Sequence, residues 1–391
     1  MPINFKIMFL KKNIFGTNAL LLIFIMSLVL SSCVKDIEPD IELIDTEKYV
    51  ITGMLTDIAT EQDIIITKTT PLDDPYQNYI GGCKVKIIRN DNVEYSYYEY
   101  QQGIYRLNVP IDFIDNTKSY MIEVITPEGF TIQSSSESFA SCADVGDVYW
   151  EYFKEEGSKF EGYQFFTDMH ASEDDSKYYL YKIIETFEHH SPYPLEYYYD
   201  GKLRRVVPPD YSKMYCWVTT GIKDVFPMST KGFSENVYDR YKLNYTTNLS
   251  QRLSHLYSLL IKQYSISEEA YDYWQQMRKN LHQSGGMYNS QPIPVKGNLK
   301  IVSGGEKDVL GFFGVSAIKE KRIFVPPSPF DIVDNTCAMF TLRMGYSEIL
   351  PKDYPAYIYS ENGIPSVDVM DRACVDCTKV GGNTQKPSYW P

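Results

Sequence analysis

Ser258-Leu-Leu-Ile-Lys-Gln-Tyr-Ser-Ile-Ser-Glu-Glu-Ala-Tyr-Asp-Tyr-Trp274 passes from an apolar run to the start of a helix. Within it, Ser265-Ile-Ser-Glu268 fits a capping box, in which serine and glutamate side chains satisfy free backbone N–H groups of the first helical turn. Glu268 and Glu269 also suit the positive end of the helix dipole. One face at helical spacing carries Ala270, Tyr273, Trp274, Met277 and Leu281. The pattern predicts an amphipathic helix over residues 266–283, with Gly285-Gly286 ending it in a left-handed turn.

The segments on either side of this helix favour β-structure. Leu256–Tyr264 has the pattern of a strand or a short helix. After the helix, Gly297–Val302 and Leu310–Ala317 are predicted strands, and Lys321–Val325 continues the second of them. One helix is therefore inserted into a mainly β segment.

Residues 48–138 are predicted to form a β-sandwich domain. Tyr49–Leu55 and Asp63–Thr67 are its first two strands. In Lys84–Arg89, Val85 and Ile87 alternate with charged residues, which is the two-residue period of a half-buried strand. About seven such strands, separated by turn residues, indicate a sandwich of the immunoglobulin or transthyretin type.

Residues 139–391 are predicted to form a larger β-rich domain that contains the helix. Pro192–Pro209 is expected to be a tyrosine-rich loop or hairpin. From Asp331 to Trp390 regular structure is expected to be sparse and turns frequent. The predicted fold class is thus mainly β, with an N-terminal sandwich, a β domain with one inserted helix, and a loop-rich C-terminal tail.

The N-terminus has the features of a lipoprotein signal peptide, predicted over residues 1–32. Three lysines precede the nearly unbroken apolar run Ala19–Leu30. The string Leu30-Ser-Ser-Cys33 resembles a bacterial lipobox, in which the peptide is cut between Ser32 and Cys33 and the cysteine is acylated, for example with palmitate. Residues 33–47 would then be a lipidated tether. The alternative is an uncleaved N-terminal anchor with an incidental cysteine.

Lys35 and Asp36 follow Cys33 directly. They look like the lysine-plus-acid signal that sends lipoproteins of Bacteroidota to the outer face of the outer membrane. The alternative is an ordinary solvated tether, which would leave the protein on the periplasmic side. The expected location is a lipid anchor in the outer membrane, facing the cell surface.

The charge and the aromatic content of the chain indicate which classes of molecule it can bind. The chain has 391 residues and a formal net charge of −13. Nucleic-acid binding requires a basic footprint, so we expect no nucleic-acid partner. The 34 tyrosines suit strands and binding surfaces. Those placed among prolines in a predicted exposed loop are candidate interaction residues: Tyr193, Tyr197, Tyr198, Tyr199 and Tyr211.

Six cysteines besides Cys33 are candidates for disulfides: Cys83, Cys142, Cys216, Cys337, Cys374 and Cys377. An exported protein meets an oxidising compartment, so up to three bridges can form, in any of about 15 connectivities. The Cys374-x-x-Cys377 spacing lacks the further ligands that a metal site needs and the context of a redox site. We expect at least one of these two cysteines to tie the tail to the β core, with Cys216 or Cys337 as partner. The alternative is free buried thiols.

No motif assigns a catalytic residue, a metal or a cofactor. His189-His190 is the one histidine pair, and adjacent residues of a strand face opposite sides. Glu173-Asp174-Asp175 lacks the spacing of a calcium loop, so a solvated turn is expected. The chain has no G-x-S-x-G elbow, no H-E-x-x-H and no phosphate-binding glycine loop. The sequence leaves open a catalytic pair of carboxylates that lie far apart in the chain.

Several motifs together resemble one known family. They are Lys262-Gln-Tyr-Ser-Ile-Ser-Glu-Glu-Ala-Tyr-x-Tyr-Trp274, Gly297-Asn298, Gly311-Phe-Phe-Gly-Val-Ser316, Lys321-Arg-Ile-Phe324, and the tail from Cys374 to Trp390. The sequence is similar over essentially the whole mature chain to a family of Bacteroidota lipoproteins that is catalogued as domain of unknown function 4249. That family name carries no biochemical activity.

Three functions are compatible with these observations. The resemblance favours a non-catalytic surface lipoprotein that acts with a TonB-dependent, SusC-type β-barrel transporter. Its role would be to capture substrate, to form a lid or to serve as a scaffold. Its partners would be outer-membrane lipid, through acylated Cys33, and the barrel. The second function is a surface glycan-binding protein or hydrolase, which requires a concave aromatic cleft. The third is a component of an outer-membrane assembly or secretion complex.

Overall fold

The structure is a computed structural model that describes residues 47–391, except 59, 71–75, 111–112, 155, 284–293 and 306. It is mainly β, with several sheets and one α-helix, as predicted. The predicted signal peptide (residues 1–32), Cys33 and the tether up to residue 46 lie outside the described residues, and so do Gly285 and Gly286.

The first ten strands, in chain order, are β1 (Tyr49–Thr56), β2 (Glu61–Lys68), β3 (Asn78–Tyr79), β4 (Lys84–Arg89), β5 (Glu94–Ser96), β6 (Tyr98–Gln101), β7 (Ile104–Asn108), β8 (Ser119–Ile125), β9 (Thr131–Ser134) and β10 (Glu137–Ser138). The next nine are β11 (Val148–Phe153), β12 (Gly162–His170), β13 (Tyr178–His190), β14 (Leu195–Tyr199), β15 (Leu203–Asp210), β16 (Tyr215–Gly221), β17 (Phe226–Ser229), β18 (Val237–Thr247) and β19 (Tyr257–Ser265). Then follow the helix α1 (Glu268–Gln283) and the strands β20 (Leu299–Ser303), β21 (Leu310–Ser316), β22 (Ile318–Val325), β23 (Met339–Thr341), β24 (Ala356–Glu361) and β25 (Ile364–Met370).

The N-terminal region forms a sandwich of two sheets around one apolar core. One sheet has the order β21-β1-β2-β7-β6, with β3 beside β2. The other has the order β20-β9-β8-β4-β5, with β10 beside β8. Val85 and Ile87 of β4 point into the core, as their alternation predicted. Strands β20 and β21 come from beyond residue 297, so the later part of the chain completes this sandwich.

Two glycines near the junction of β21 and β1 are required because backbone atoms lie very close to them. The two strands pair in parallel, from Val50 opposite Leu310 to Thr56 opposite Ser316. Gly311 has a φ of +100°, and a Cβ atom there would lie 1.9 Å from the carbonyl oxygen of Ile51. A Cβ on Gly297 would lie 1.7 Å from the carbonyl oxygen of Gly311. Only glycine fits at these positions without displacing backbone.

A second sandwich packs the sheet β11-β12-β18 against the sheet β16-β13-β19-β22, in which β17 also pairs with β13. Its core is rich in fully buried tyrosine, including Tyr179, Tyr181 and Tyr257. Strand β13 lies at the centre because β16, β17 and β19 all pair with it.

The predicted helix is confirmed, but its cap is a different serine. The backbone N–H of Ala270 donates to Ser267 Oγ at 3.2 Å, so Ser267 caps α1. Ser265 is still part of β19, and its hydroxyl donates to the carbonyl of Ala140 at 2.7 Å. The predicted capping box beginning at Ser265 is therefore wrong, because the strand continues closer to the helix than expected. Tyr273 and Ala270 are buried against Phe312 and Ile318.

The C-terminal tail is more regular than predicted. Strands β14 and β15 form a hairpin, and β23, β24 and β25 join it in a third layer of order β15-β14-β24-β25-β23. A Cys337–Cys374 disulfide lies beside this sheet, and a Cys216–Cys377 disulfide ties the tail to β16. Both tail cysteines are thus bridged to the predicted partners. The sheet was hard to predict because its two local hairpins, β14-β15 and β24-β25, are joined only by the long-range pairing of β14 with β24.

Candidate functional site

A cleft of about 630 Å³ lies between the first sandwich and the second. Strands β1 and β2 form one wall, β13, β19 and β22 form the other, and α1 lies at one end. The side chains that line it include Thr52, Met54, Ile58, Ile65, Lys182, Lys262, Tyr264, Tyr273, Trp274, Phe312 and Glu320. Aromatic and aliphatic side chains therefore share the lining with polar and charged ones, which also include Thr56, Gln62 and Asp63.

A row of charged residues crosses the sheet that forms the second wall. Lys182 of β13 is directly opposite Lys262 of β19, which is opposite Glu320 of β22. Lys262 Nζ lies 2.8 Å from Glu320 Oε1, so these two charges compensate each other. Lys182 Nζ lies instead 5.3 Å from the ring centroid of Tyr264 and 5.4 Å from that of Trp274. Burial, and secondarily the charge of Lys262, lowers the pKa of Lys182.

The carboxylate on the first wall is already engaged. Arg106 binds Asp63 through two hydrogen bonds, Nε to Oδ1 at 2.7 Å and Nη2 to Oδ2 at 2.8 Å. Bidentate pairs of this kind hold a carboxylate in one orientation. Since Glu320 is paired as well, the cleft presents two compensated carboxylates and one cation between aromatic rings.

A second, polar recess lies around Glu185 and Arg252, in two adjoining cavities of about 350 and 490 Å³ that share Arg252 and Thr220. Glu185 is buried and accepts hydrogen bonds from Arg252 Nε at 2.9 Å and from the Tyr257 hydroxyl at 2.8 Å. Burial, together with the charge of Glu185, raises the pKa of Tyr257 well above its usual value. With both donors in place, Glu185 joins β13 to the turn at Arg252 as a structural group.

The histidine pair lies beside this recess without forming a metal centre. His189 is buried, whereas the His190 ring stacks on His255 with centroids 3.6 Å apart. Burial, and then the neighbouring His255, lowers the pKa of His190 to about 4. Among the described residues, no group of three or more His, Cys, Asp or Glu side chains is placed to hold a metal ion. In the acidic turn, Asp175 accepts hydrogen bonds from the Ser141 hydroxyl at 2.6 Å and from Ser172 N at 2.9 Å.

Three of the five candidate interaction tyrosines lie in a strand and not in an exposed loop. Tyr197, Tyr198 and Tyr199 belong to β14, an inner strand that pairs with both β15 and β24. Tyr197 is buried, and its hydroxyl donates to the carbonyl of Gly363 at 2.8 Å. Tyr193 is half-buried and packs edge-on against Tyr359. Of the set, only Tyr211 is well exposed, and the loop predicted for Tyr197, Tyr198 and Tyr199 is a strand.

Large apolar side chains other than tyrosine are strongly exposed in the C-terminal part of the structure. Among the described residues, the three most exposed large apolar side chains are Met344, Val207 and Ile364, at 78%, 74% and 70%. Val207 and Ile364 lie on β15 and β25, and Met344 lies in the connection between β23 and β24. Phe340 on β23 is also exposed. These four residues belong to the sheet β15-β14-β24-β25-β23 or to its β23–β24 connection, with Val207 and Phe340 on its two edge strands, and are called the apolar C-terminal surface below. Sequence reasoning missed it because single apolar residues among polar ones carry no periodic signal.

Two of the six candidate disulfide cysteines are free thiols. Cys83 packs against the core of the first sandwich, and Cys142 is buried in the second. Because the two sandwiches have separate cores, neither thiol has a disulfide partner in reach within the part of the chain that the structure describes. The predicted cleavage site at Ser32 and lipidation at Cys33 lie outside the described residues. Within residues 47–391 as described, the one α-helix is too short and too polar to span a bilayer.

Comparison with known proteins identifies the family. The family model of a domain of unknown function, DUF4249, matches residues 34–322. A search of curated proteins finds no match.

Proposed function

The chain belongs to the DUF4249 family, whose function is unknown, and we propose that it is a non-catalytic lipoprotein that docks on an outer-membrane β-barrel. In this role it acts as a capture, lid or scaffold subunit of a TonB-dependent, SusC-type transporter. The observation that carries the proposal is the apolar C-terminal surface of Val207, Phe340, Met344 and Ile364.

The anchor follows from the N-terminal sequence. A basic segment, an apolar run and Leu30-Ser-Ser-Cys33 occur in the order that a lipoprotein signal requires. Several acyl chains on Cys33 would hold the protein stably on a bilayer, which one chain does not. Lys35 and Asp36 favour the outer face of the outer membrane.

The docking surface follows from exposure and rigidity. Large apolar side chains that one sheet and its connections leave exposed support a site of protein contact, and here they extend from one edge strand of the sheet to the other. Their sheet also ends in two edge strands, β15 and β23, whose free backbone groups can pair with a strand of a partner. The Cys216–Cys377 disulfide fixes the tail to the core, so the surface is preorganised and loses little entropy on binding.

The charged groups of the cavities support contact rather than catalysis. Arg106 holds Asp63, Lys262 holds Glu320, and Arg252 with Tyr257 holds Glu185. A general base needs a carboxylate that can reach a substrate proton, and these three are occupied by their partners.

Co-purification after mild detergent extraction tests the docking. We expect the wild-type chain to retain a β-barrel transporter, identified by mass spectrometry. The variant Val207→Asp/Phe340→Asp/Ile364→Asp should lose it, because three charges replace exposed apolar contacts. The matched control is Val302→Asp, at another exposed apolar position, on β20, and it should retain the partner. Equal recovery with both variants would refute docking through this surface.

The anchor has its own test. In cell fractionation, Cys33→Ser should release the protein from the outer-membrane fraction, because the acylated atom is removed. Unchanged fractionation would exclude Cys33 as the anchor while leaving the docking result to be judged separately.

Ligand binding by the protein itself is the second candidate, and the aromatic-walled cleft at Lys182 and Trp274 favours it. A surface glycan-binding protein or hydrolase would bind oligosaccharide without any barrel. Retention of an assembly or secretion barrel in place of a transporter would instead favour the third role.

A further inference from the structure

We propose that the cleft between the two sandwiches binds a small organic carboxylate, with its carboxylate on Lys182 and its apolar body against Trp274. This site is independent of the apolar C-terminal surface and of the docking proposed above.

The first step is the charge of Lys182. Its neighbours across the sheet are Lys262, which has the same sign, and beyond it Glu320, which is engaged by Lys262. Asp63, the carboxylate on the opposite wall, is held by Arg106. Among the described residues no carboxylate forms an ion pair with Lys182. A half-buried ammonium without a counter-charge is unfavourable, so an anion that enters the cleft gains the compensation that the protein does not supply.

The second step is the surroundings of that charge. The rings of Tyr264 and Trp274 lie within 5.4 Å of Lys182 Nζ and hold the ammonium by cation–π attraction. This contact orients the charge but does not neutralise it. The low dielectric of aromatic walls strengthens any hydrogen bond from Lys182 to an ionised acceptor.

The third step is the body of the ligand. Ile58 and Ile65 are exposed at 52% and 38%, and both face the cleft with Met54 and Trp274. Burial of such side chains favours an apolar ring or chain over a hydroxylated one. The volume of about 630 Å³ is in the range that holds a compact organic molecule. An apolar acid therefore matches the cleft better than an acidic sugar does.

The test uses three probes and isothermal titration calorimetry on the full lipidated chain in mild detergent. The probes are 2-naphthoate, its neutral analogue 2-naphthalenemethanol, and glucuronate, an acid with a polar body. We expect saturable binding of 2-naphthoate with binding of the alcohol weaker by about tenfold or more, because a hydrogen bond to a charged group is lost. Glucuronate should bind more weakly than 2-naphthoate.

Three variants assign the effect to the cleft and correct for partition into detergent. Lys182→Met keeps an unbranched side chain that is one atom shorter and removes the charge, so it should abolish the preference for the acid over the alcohol. Lys300→Met, at an exposed lysine on β20, is the matched control and should bind as the wild type does. Trp274→Leu should weaken both naphthalene probes.

Four results would overturn the proposal: no saturable binding of 2-naphthoate, equal binding of acid and alcohol, an unchanged preference in Lys182→Met, or tighter binding of glucuronate. The last would reassign the cleft to acidic sugars. None of these results bears on barrel docking, which depends on a different surface.

Discussion

Removal of the Cys216–Cys377 disulfide should cause a large and calculable loss of stability. The bridge spans 161 residues of sequence. In the chain-entropy model, closing a loop of that length stabilises the folded state by about 5 kcal/mol, chiefly by restricting the unfolded chain. The Cys337–Cys374 bridge spans 37 residues, which corresponds to about 4 kcal/mol. The Cys216→Ala/Cys377→Ala variant should therefore be less stable than the Cys337→Ala/Cys374→Ala variant.

The structure also indicates which part of the protein responds first. Apart from the disulfide, the tail is held to β16 by a pair of backbone hydrogen bonds between Trp217 and Asn383, at 2.9 and 3.0 Å. Lys213 Nζ adds an ion pair with Asp376 at 3.1 Å. Each of these contacts contributes on the order of 1 kcal/mol net, well below the contribution of the covalent link. The end of the tail keeps its own contacts, since Trp390 is buried and packs edge-on against Phe324, so the segment around Asn383 should loosen first.

Guanidinium denaturation under oxidising conditions measures the effect, with circular dichroism for the sheets and tryptophan fluorescence for the tail. Cys83→Ala is the matched control, since Cys83 is a free thiol, and its loss should be about 1 kcal/mol. A reductant should destabilise the wild type, and should act on the double variant only through Cys337–Cys374. A free energy of unfolding equal to that of the control would refute the reasoning.

Three further perturbations test other parts of the structure. Burial lowers the pKa of His190 from 6.5 to about 4, so the unfolded chain binds more protons than the folded protein between these pH values. The free energy of unfolding should therefore fall by at most about 3 kcal/mol as the pH drops through this window. In thermal melts, His190→Gln should flatten this decline. Gly311→Ala should destabilise by several kcal/mol or prevent folding, whereas Gly314→Ala, where a Cβ has room, should fold normally as judged by circular dichroism. Ser267→Ala should cost about 1 kcal/mol in urea unfolding because α1 loses its cap, and a loss below a few tenths would contradict that role.

Local signals in the sequence predicted the local structure. The helix at 266–283 and the half-buried strand at Lys84–Arg89 appear where their periodicity indicated. The cap was misplaced because two serines precede Glu268, and only the end of β19 decides between them.

Long-range pairing could not be predicted in the same way. Strand β21 lies beside β1 although more than 250 residues separate them, and no residue of either strand indicates the other. The cleft also depends on long-range strand pairing. Lys182 and Lys262 are opposite each other only because β13 and β19 pair in one register, and a shift of one residue would place them on different faces. The tyrosines of β14 were misassigned because β24, which covers that strand, lies far along the chain.

Site-specific photocrosslinking in intact cells tests docking most directly. A photoreactive phenylalanine analogue would replace Phe340 on β23 or, as a control, Tyr152 on β11, two positions with exposures of 59% and 57%. Docking through the apolar C-terminal surface predicts that position 340 crosslinks to an outer-membrane β-barrel protein and that position 152 does not. No barrel adduct at position 340, or equal adducts at both positions, would contradict the proposed function.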